Sequence, residues 1–244
     1  MKQRIKSLAA IGCAALALAF SAGMSTSAQA SFIALICDSL SCSGTAGTNY
    51  ILVTDGGVGD ANASAGAITE TFSFGTLSVL VNTSQSKPAL GSAATPQLDI
   101  TFTVTGIGTV YMFASDTDFT GIVQMQGTVD GNASGTSFEQ IGIFGADSNT
   151  NPAPGSFPGT GLAFSPTLSG TPFHGDTTLT PILGTSVNPY MLTIGLFVER
   201  DTSGTTTGDF NTNTTLQGAP EPATLALLGL GLAGLGWARR RKQA

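Results

Sequence analysis

The sequence predicts an all-β fold, an antiparallel β-sandwich of jelly-roll-like type, with separate helical segments at the two ends of the chain. Three observations carry that expectation between residues 31 and 218. Apolar residues alternate by two along many short segments, Gly and Asp-Gly signals punctuate those segments, and no stretch shows helical periodicity with caps. A span of 188 residues is enough to bury a real core as one domain. Its thirteen Phe residues, many in alternating segments, argue against a disordered stalk despite the abundance of Gly, Ser, Thr and Asn.

Taken in order, the first expected strands are 32–37 and 50–54, followed by the turn signal Asp55-Gly56-Gly57. Between Glu70 and Asn82 the apolar phase flips: Phe72 and Phe74 occupy even positions, and Leu77, Val79 and Val81 odd ones. Gly75 stands at the switch, so a bulge or tight turn is expected there. The clearest strand is Leu98 to Val104, with Leu98, Ile100, Phe102 and Val104 on one face and Asp99, Thr101 and Thr103 on the other. Strands at 109–115, from Val123 to Asp130, and at 138–145, 162–168 and 177–183 follow, with Asp130-Gly131 and the Pro/Gly stretch 151–161 as breaks. From Tyr190 to Val198, Tyr190, Leu192, Ile194, Leu196 and Val198 share a face; a turn over 201–208 and a polar segment over 209–217 complete a closing hairpin. No internal repeat is evident.

The two ends read as addresses. Lys2, Arg4 and Lys6 precede an apolar run at 8–20, and Ala28-Gln29-Ala30 forms an A-x-A cleavage site, so residues 1–30 read as a signal peptide and the mature chain begins at Ser31. Cys13 lies too early in that run for a lipoprotein signal. At the other end, residues 219–244 carry Pro220-Glu221-Pro222, an uncharged run at 223–238, and Arg239, Arg240, Arg241 and Lys242. A helix over 223–238 would be about 24 Å long, shorter than a bilayer's hydrocarbon core of about 30 Å, and four glycines weaken it further. Such a segment suits a transient inner-membrane anchor, with the basic cluster kept cytoplasmic. This three-part order resembles the PEP-CTERM sorting signal of exopolysaccharide-producing Gram-negative bacteria. The resemblance implies processing by an exosortase-type membrane transpeptidase; an uncleaved tail anchor is the alternative. It covers about 26 residues and implies nothing about activity.

Charge narrows the rest. Between 31 and 218 only Lys87 and Arg200 are basic against fourteen acidic residues, a net charge of −12. That balance argues against nucleic-acid binding and against adhesion to anionic membranes. Cys37 and Cys42, left as an even pair once Cys13 is removed, suit a disulfide in an oxidising compartment, with free thiols as the alternative.

No catalytic residue stands out. His174, the only histidine, lies in a turn-like stretch, no G-x-S-x-G elbow is present, and fourteen acids supply carboxylate pairs by chance alone. The body holds no Trp, and most Phe positions read as core, so aromatic sugar platforms are not expected. The best acidic cluster is 114–121, where Asp116 and Asp118 could ligate calcium or form an Asx-turn; Asp55 with Asp60 is a weaker candidate. Asn62, Asn82, Asn132 and Asn213 begin N-x-S/T triplets, a weak glycosylation signal in bacteria. The resulting expectation is a non-enzymatic, exported structural or adhesive protein associated with exopolysaccharide. The alternatives are a calcium-assisted carbohydrate-binding module and, behind it, a secreted hydrolase.

Overall fold

In a computed structural model, described for residues 31–145, 148–157, 160–185 and 188–216, the alternating segments become strands paired only in antiparallel fashion. They are β1 (Ile33–Cys37), β2 (Tyr50–Thr54), β3 (Ala67–Phe74), β4 (Leu77–Gln85), β5 (Asp99–Thr105), β6 (Gly108–Phe119), β7 (Val123–Ala133), β8 (Ser137–Phe144), β9 (Gly161–Phe164), β10 (Phe173–Asp176), β11 (Tyr190–Arg200) and β12 (Thr205–Leu216). One six-stranded sheet runs β2-β1-β6-β11-β8-β9; the other runs β10-β7-β12-β5-β4-β3. Consecutive strands β5 and β6, β7 and β8, and β11 and β12 fall in different sheets, so the centre of each sheet is stitched to the other. This is the expected sandwich. Ala28, Ala30 and the expected signal peptide, and Pro220, Glu221, Pro222, Arg239, Arg240, Arg241, Lys242 and the expected tail helix, lie outside the described residues.

The main core lies between the sheets. Val110, Met112 and Ala114 of β6, Leu192, Ile194, Leu196 and Val198 of β11, and Ile141 and Ile143 of β8 meet Ile100, Phe102 and Val104 of β5, Val79 and Val81 of β4, and Phe210 of β12. Each set is the single face that alternation by two predicts. Gly75, with φ +60°, turns the chain between β3 and β4, where the apolar phase flips. A left-handed backbone of this kind favours glycine.

A second, smaller core lies on the outside of the first sheet. Strand β1 is buried on both faces, because Ile33, Leu35 and Cys37 point outward beneath the segments that carry Cys42 and Phe157. Cys37 and Cys42 are joined by a disulfide, closing a tight loop over this patch.

Several boundaries differ from the sequence expectation. Strand β6 continues to Phe119 through the stretch read as an acidic loop; Asp118, with φ +63°, and a register shift opposite Tyr190–Leu192 accommodate the irregularity. Strand β10 forms at 173–176, in the stretch read as a turn around His174. Residues 177–183 form no strand. Instead, Thr177, Thr180 and Leu183 are buried at every third position while Leu179 and Ile182 are exposed. The Thr177 and Thr180 hydroxyls accept the Gly127 and Met125 N–H groups of β7 at 2.9 Å each. Strand β9 is shorter than expected, and β12 begins at Thr205, inside the expected turn.

Candidate functional site

The outer face of the first sheet is set by the residues that alternation sends away from the main core. Register places Tyr111 of β6, Phe197 of β11 and Gln140 of β8 side by side. The next row holds Phe113, Gly195, Gly142 and Phe164. Phe144 stands one row further along. Together with Leu40 from the disulfide loop, these residues line a trough of about 400 Å³, within the range of small-ligand sites. It crosses β6, β11, β8 and β9, a span of about 14 Å at the usual strand spacing.

Two glycines make the trough. A Cβ on Gly195 would lie 2.6 Å from the Phe113 ring and 2.8 Å from Phe144; one on Gly142 would lie 2.8 Å from Phe144. The rings therefore lie over the backbone of β11 and β8 and form an aromatic floor, the cross-strand covering of glycine by aromatics. Phe113 and Phe144 meet edge to face at 6.0 Å, and Phe144 meets Phe164 likewise at 5.3 Å. On the rim, Tyr111 and Phe197 are tilted together at 5.0 Å and half-buried, while Phe164 is 45% exposed. Burial, and then the neighbouring Glu199 carboxylate, hold the Tyr111 phenol above its ordinary value, so it stays a neutral donor. Gln140 adds an amide, whose nitrogen also donates to the Ser165 carbonyl at 3.1 Å.

The opposite outer face is polar. His174 contacts Asp130 at 2.7 Å and Asp176 at 3.7 Å, and all three are exposed. The hydrogen bond to Asp130 chiefly raises the His174 pKa. On the same face, Asp99 is pushed up to about 8 by burial and by a hydrogen bond and charge repulsion from Asp209. No serine or second catalytic partner is bonded to His174 among the described contacts, and it lies on the sheet opposite the trough.

Asp116 and Asp118, the candidate calcium ligands, have separate partners. Asp116 is fully buried, paired with the Lys87 ammonium at 2.8 Å and accepting the Ser86 hydroxyl at 2.5 Å; burial still raises its pKa. Lys87 also donates to the Thr117 carbonyl and lies 4.0 Å over the Phe119 ring. Asp118 instead accepts the Asn149 amide at 2.6 Å. Asp55 accepts Gly66 N–H and Asp60 accepts Gly56 and Asn62 N–H, so both shape their own loops. Among the described residues no group of three or more His, Cys, Asp or Glu is placed to hold a metal ion. The calcium expectation therefore rests on sequence alone.

Arg200 is 1% exposed and caps one end of the main core, donating to the carbonyls of Gly106 and Ser134 and to the Thr206 hydroxyl. Glu139 is buried nearby; burial raises its pKa, and Ser137, Arg200 and Thr206 partly offset the rise. Asn132 and Asn213 are exposed, whereas Asn62 and Asn82 are half-buried.

The trough residues escaped sequence reasoning because Phe113, Phe144 and Phe197 sit in strands and read as core. A signal was present. On β6, β8 and β11 the face opposite the aliphatic one carries aromatics with glycines, Tyr111 and Phe113, Gly142 and Phe144, Gly195 and Phe197, which is not a solvent pattern.

Comparison with known proteins adds the address. No curated protein sequence matches the chain. Tailspike protein 4 of bacteriophage CBA120 aligns at 9% identity over 62% of this chain and 20% of its own, with a TM-score of 0.32, so this chain spans about a fifth of it. A family-4 carbohydrate-binding module aligns at 13% identity over 50% and 71%, with a TM-score of 0.29. A family-11 carbohydrate-binding module from Clostridium thermocellum, in complex with a mixed-linked tetrasaccharide, aligns at 11% identity over 66% and 94%, with a TM-score of 0.27. At scores this low the likenesses carry no functional meaning for this chain. The family model of the PEP-CTERM protein-sorting motif matches residues 219–242. The chain therefore carries a PEP-CTERM protein-sorting motif after its β-sandwich in the sequence.

Proposed function

We propose that the protein is a structural and adhesive component of the cell surface or extracellular matrix, which holds exopolysaccharide in the aromatic trough and catalyses no reaction. The trough is the observation that carries this reading. Its aromatic floor and rim, Tyr111, Phe197 and Phe164, offer faces for the C–H surfaces of sugar rings, and Gln140 and the Tyr111 phenol offer hydrogen bonds for hydroxyls. No acid is among the described residues that line the trough, and the carboxylate that acts on Tyr111 is Glu199, whereas glycoside hydrolysis uses two flanking carboxylates. Sorting completes the picture. In this reading a transient inner-membrane anchor at 223–238 presents Pro220-Glu221-Pro222 to an exosortase-type transpeptidase.

Affinity electrophoresis tests the binding. The full chain in mild detergent is run through gels cast with the host's exopolysaccharide. Retardation is expected, and it is expected to vanish in the Tyr111→Ala, Phe197→Ala double variant while the thermal melt stays close to that of the parent. An unretarded parent, or a well-folded variant retarded as strongly as the parent, would remove the reading.

A further inference from the structure

We infer that the trough selects uncharged glycan chains and rejects acidic ones; this deepens the polysaccharide reading above and rests on it. The observation behind it is independent of the aromatic rings. Between 31 and 218 the chain has only two cations, Lys87 and Arg200, and the fold uses both inside. The Lys87 side chain is 12% exposed, held by Asp116, the Thr117 carbonyl and the Phe119 ring. Arg200 is spent on Gly106, Ser134 and Thr206 at the end of the core. Among the described residues no lysine or arginine faces solvent, and His174 stands on the opposite sheet between Asp130 and Asp176.

A uronate-bearing or phosphorylated polymer lying along the trough would meet no guanidinium or ammonium partner. Its carboxylates would lose water against Phe164, Phe197 and Leu40 without gaining a charge-assisted hydrogen bond. The carboxylate that acts on Tyr111, Glu199, shares its sign, as does the body's net −12. A bridging divalent cation would need a cluster of acids, and the described residues hold none suited to it. A neutral hexose chain meets none of these costs. Its ring faces pack on Tyr111 and Phe197, and its hydroxyls find Gln140.

The test separates the host exopolysaccharide by anion exchange into a neutral and an acidic fraction, each cast into gels for the full chain in mild detergent. The neutral fraction is expected to retard the protein equally at low salt and at about 1 M salt, where charge interactions fade within about 3 Å. The acidic fraction is expected to retard it at least about tenfold less, a difference of one power of ten in affinity. Glu199→Lys is expected to add retardation by the acidic fraction at low salt and to leave the neutral result unchanged. Equal or stronger retardation by the acidic fraction would overturn the selectivity and leave polysaccharide binding standing. Retardation by neither fraction would overturn both.

Discussion

At the residue scale, Gly195 and Asp99 do opposite things on opposite faces. Gly195 leaves room for Phe113 and Phe144, whose rings lie where its side chain would be. Gly195→Val is expected to lower stability by about 1–3 kcal/mol through overpacking and to abolish glycan retardation; a denaturant melt and affinity gels check the two effects. Asp99 holds its proton to about 8 in the folded chain, against an ordinary carboxylate value of 3.8. Its folded pKa is raised, so its contribution to stability is complete below the unfolded pKa and is lost as pH rises through about 8. Melting temperatures of the parent are expected to decline between pH 4 and 8, and Asp99→Asn to flatten that part of the profile. An unchanged slope in the variant would show that Asp99 does not hold its proton into this range. The polar alternation around Asp99 was plain in the sequence. Its pairing with Asp209, 110 positions away, was not, because β5 and β12 become neighbours only through the sheet order.

At the element scale, strands with strict alternation were legible and those built on another rhythm were not. Strand β5 and the face of β11 follow from period two, and the phase flip at Gly75 marks the β3–β4 turn. Residues 177–183 failed because Thr177, Thr180 and Leu183 turn inward at every third position, and hydroxyls replace part of the backbone ladder. Short runs of Thr and Leu carry both rhythms equally well. Thr180→Val keeps the shape and removes the acceptor of the Met125 N–H. It is expected to cost about 1–3 kcal/mol, the penalty of a buried donor left unpaired. Urea unfolding measures it, and a neutral result would mean that β7 does not depend on this segment at its edge. The short strand β10 was hidden for a related reason: Thr171-Pro172 and Gly175 look like turn residues, yet Gly175 sits in the ladder because the Leu168 side chain occupies the space of a Cβ.

At the scale of the whole molecule, the sandwich divides its surfaces by chemistry, an aromatic trough on one sheet and a carboxylate-rich face on the other. The N-terminal end carries the expected signal peptide, and the C-terminal end carries the PEP-CTERM motif. Removal of the PEP-CTERM segment eliminates Trp237, the only tryptophan of the chain. Mature protein recovered from the host surface is expected to show an intact mass lacking residues beyond the Pro-Glu-Pro region and almost no tryptophan fluorescence. A surface form that retains Trp237 would identify the tail as a lasting anchor. The inward use of Lys87 and Arg200 reaches beyond ligand choice. A protease of trypsin specificity, which cuts after lysine or arginine unless proline follows, meets a single such bond between 31 and 218, Arg200–Asp201, because Lys87 precedes Pro88, and the Arg200 side chain is folded out of reach. Digestion of the native protein should clip the basic terminal segments and stop, leaving the sandwich whole.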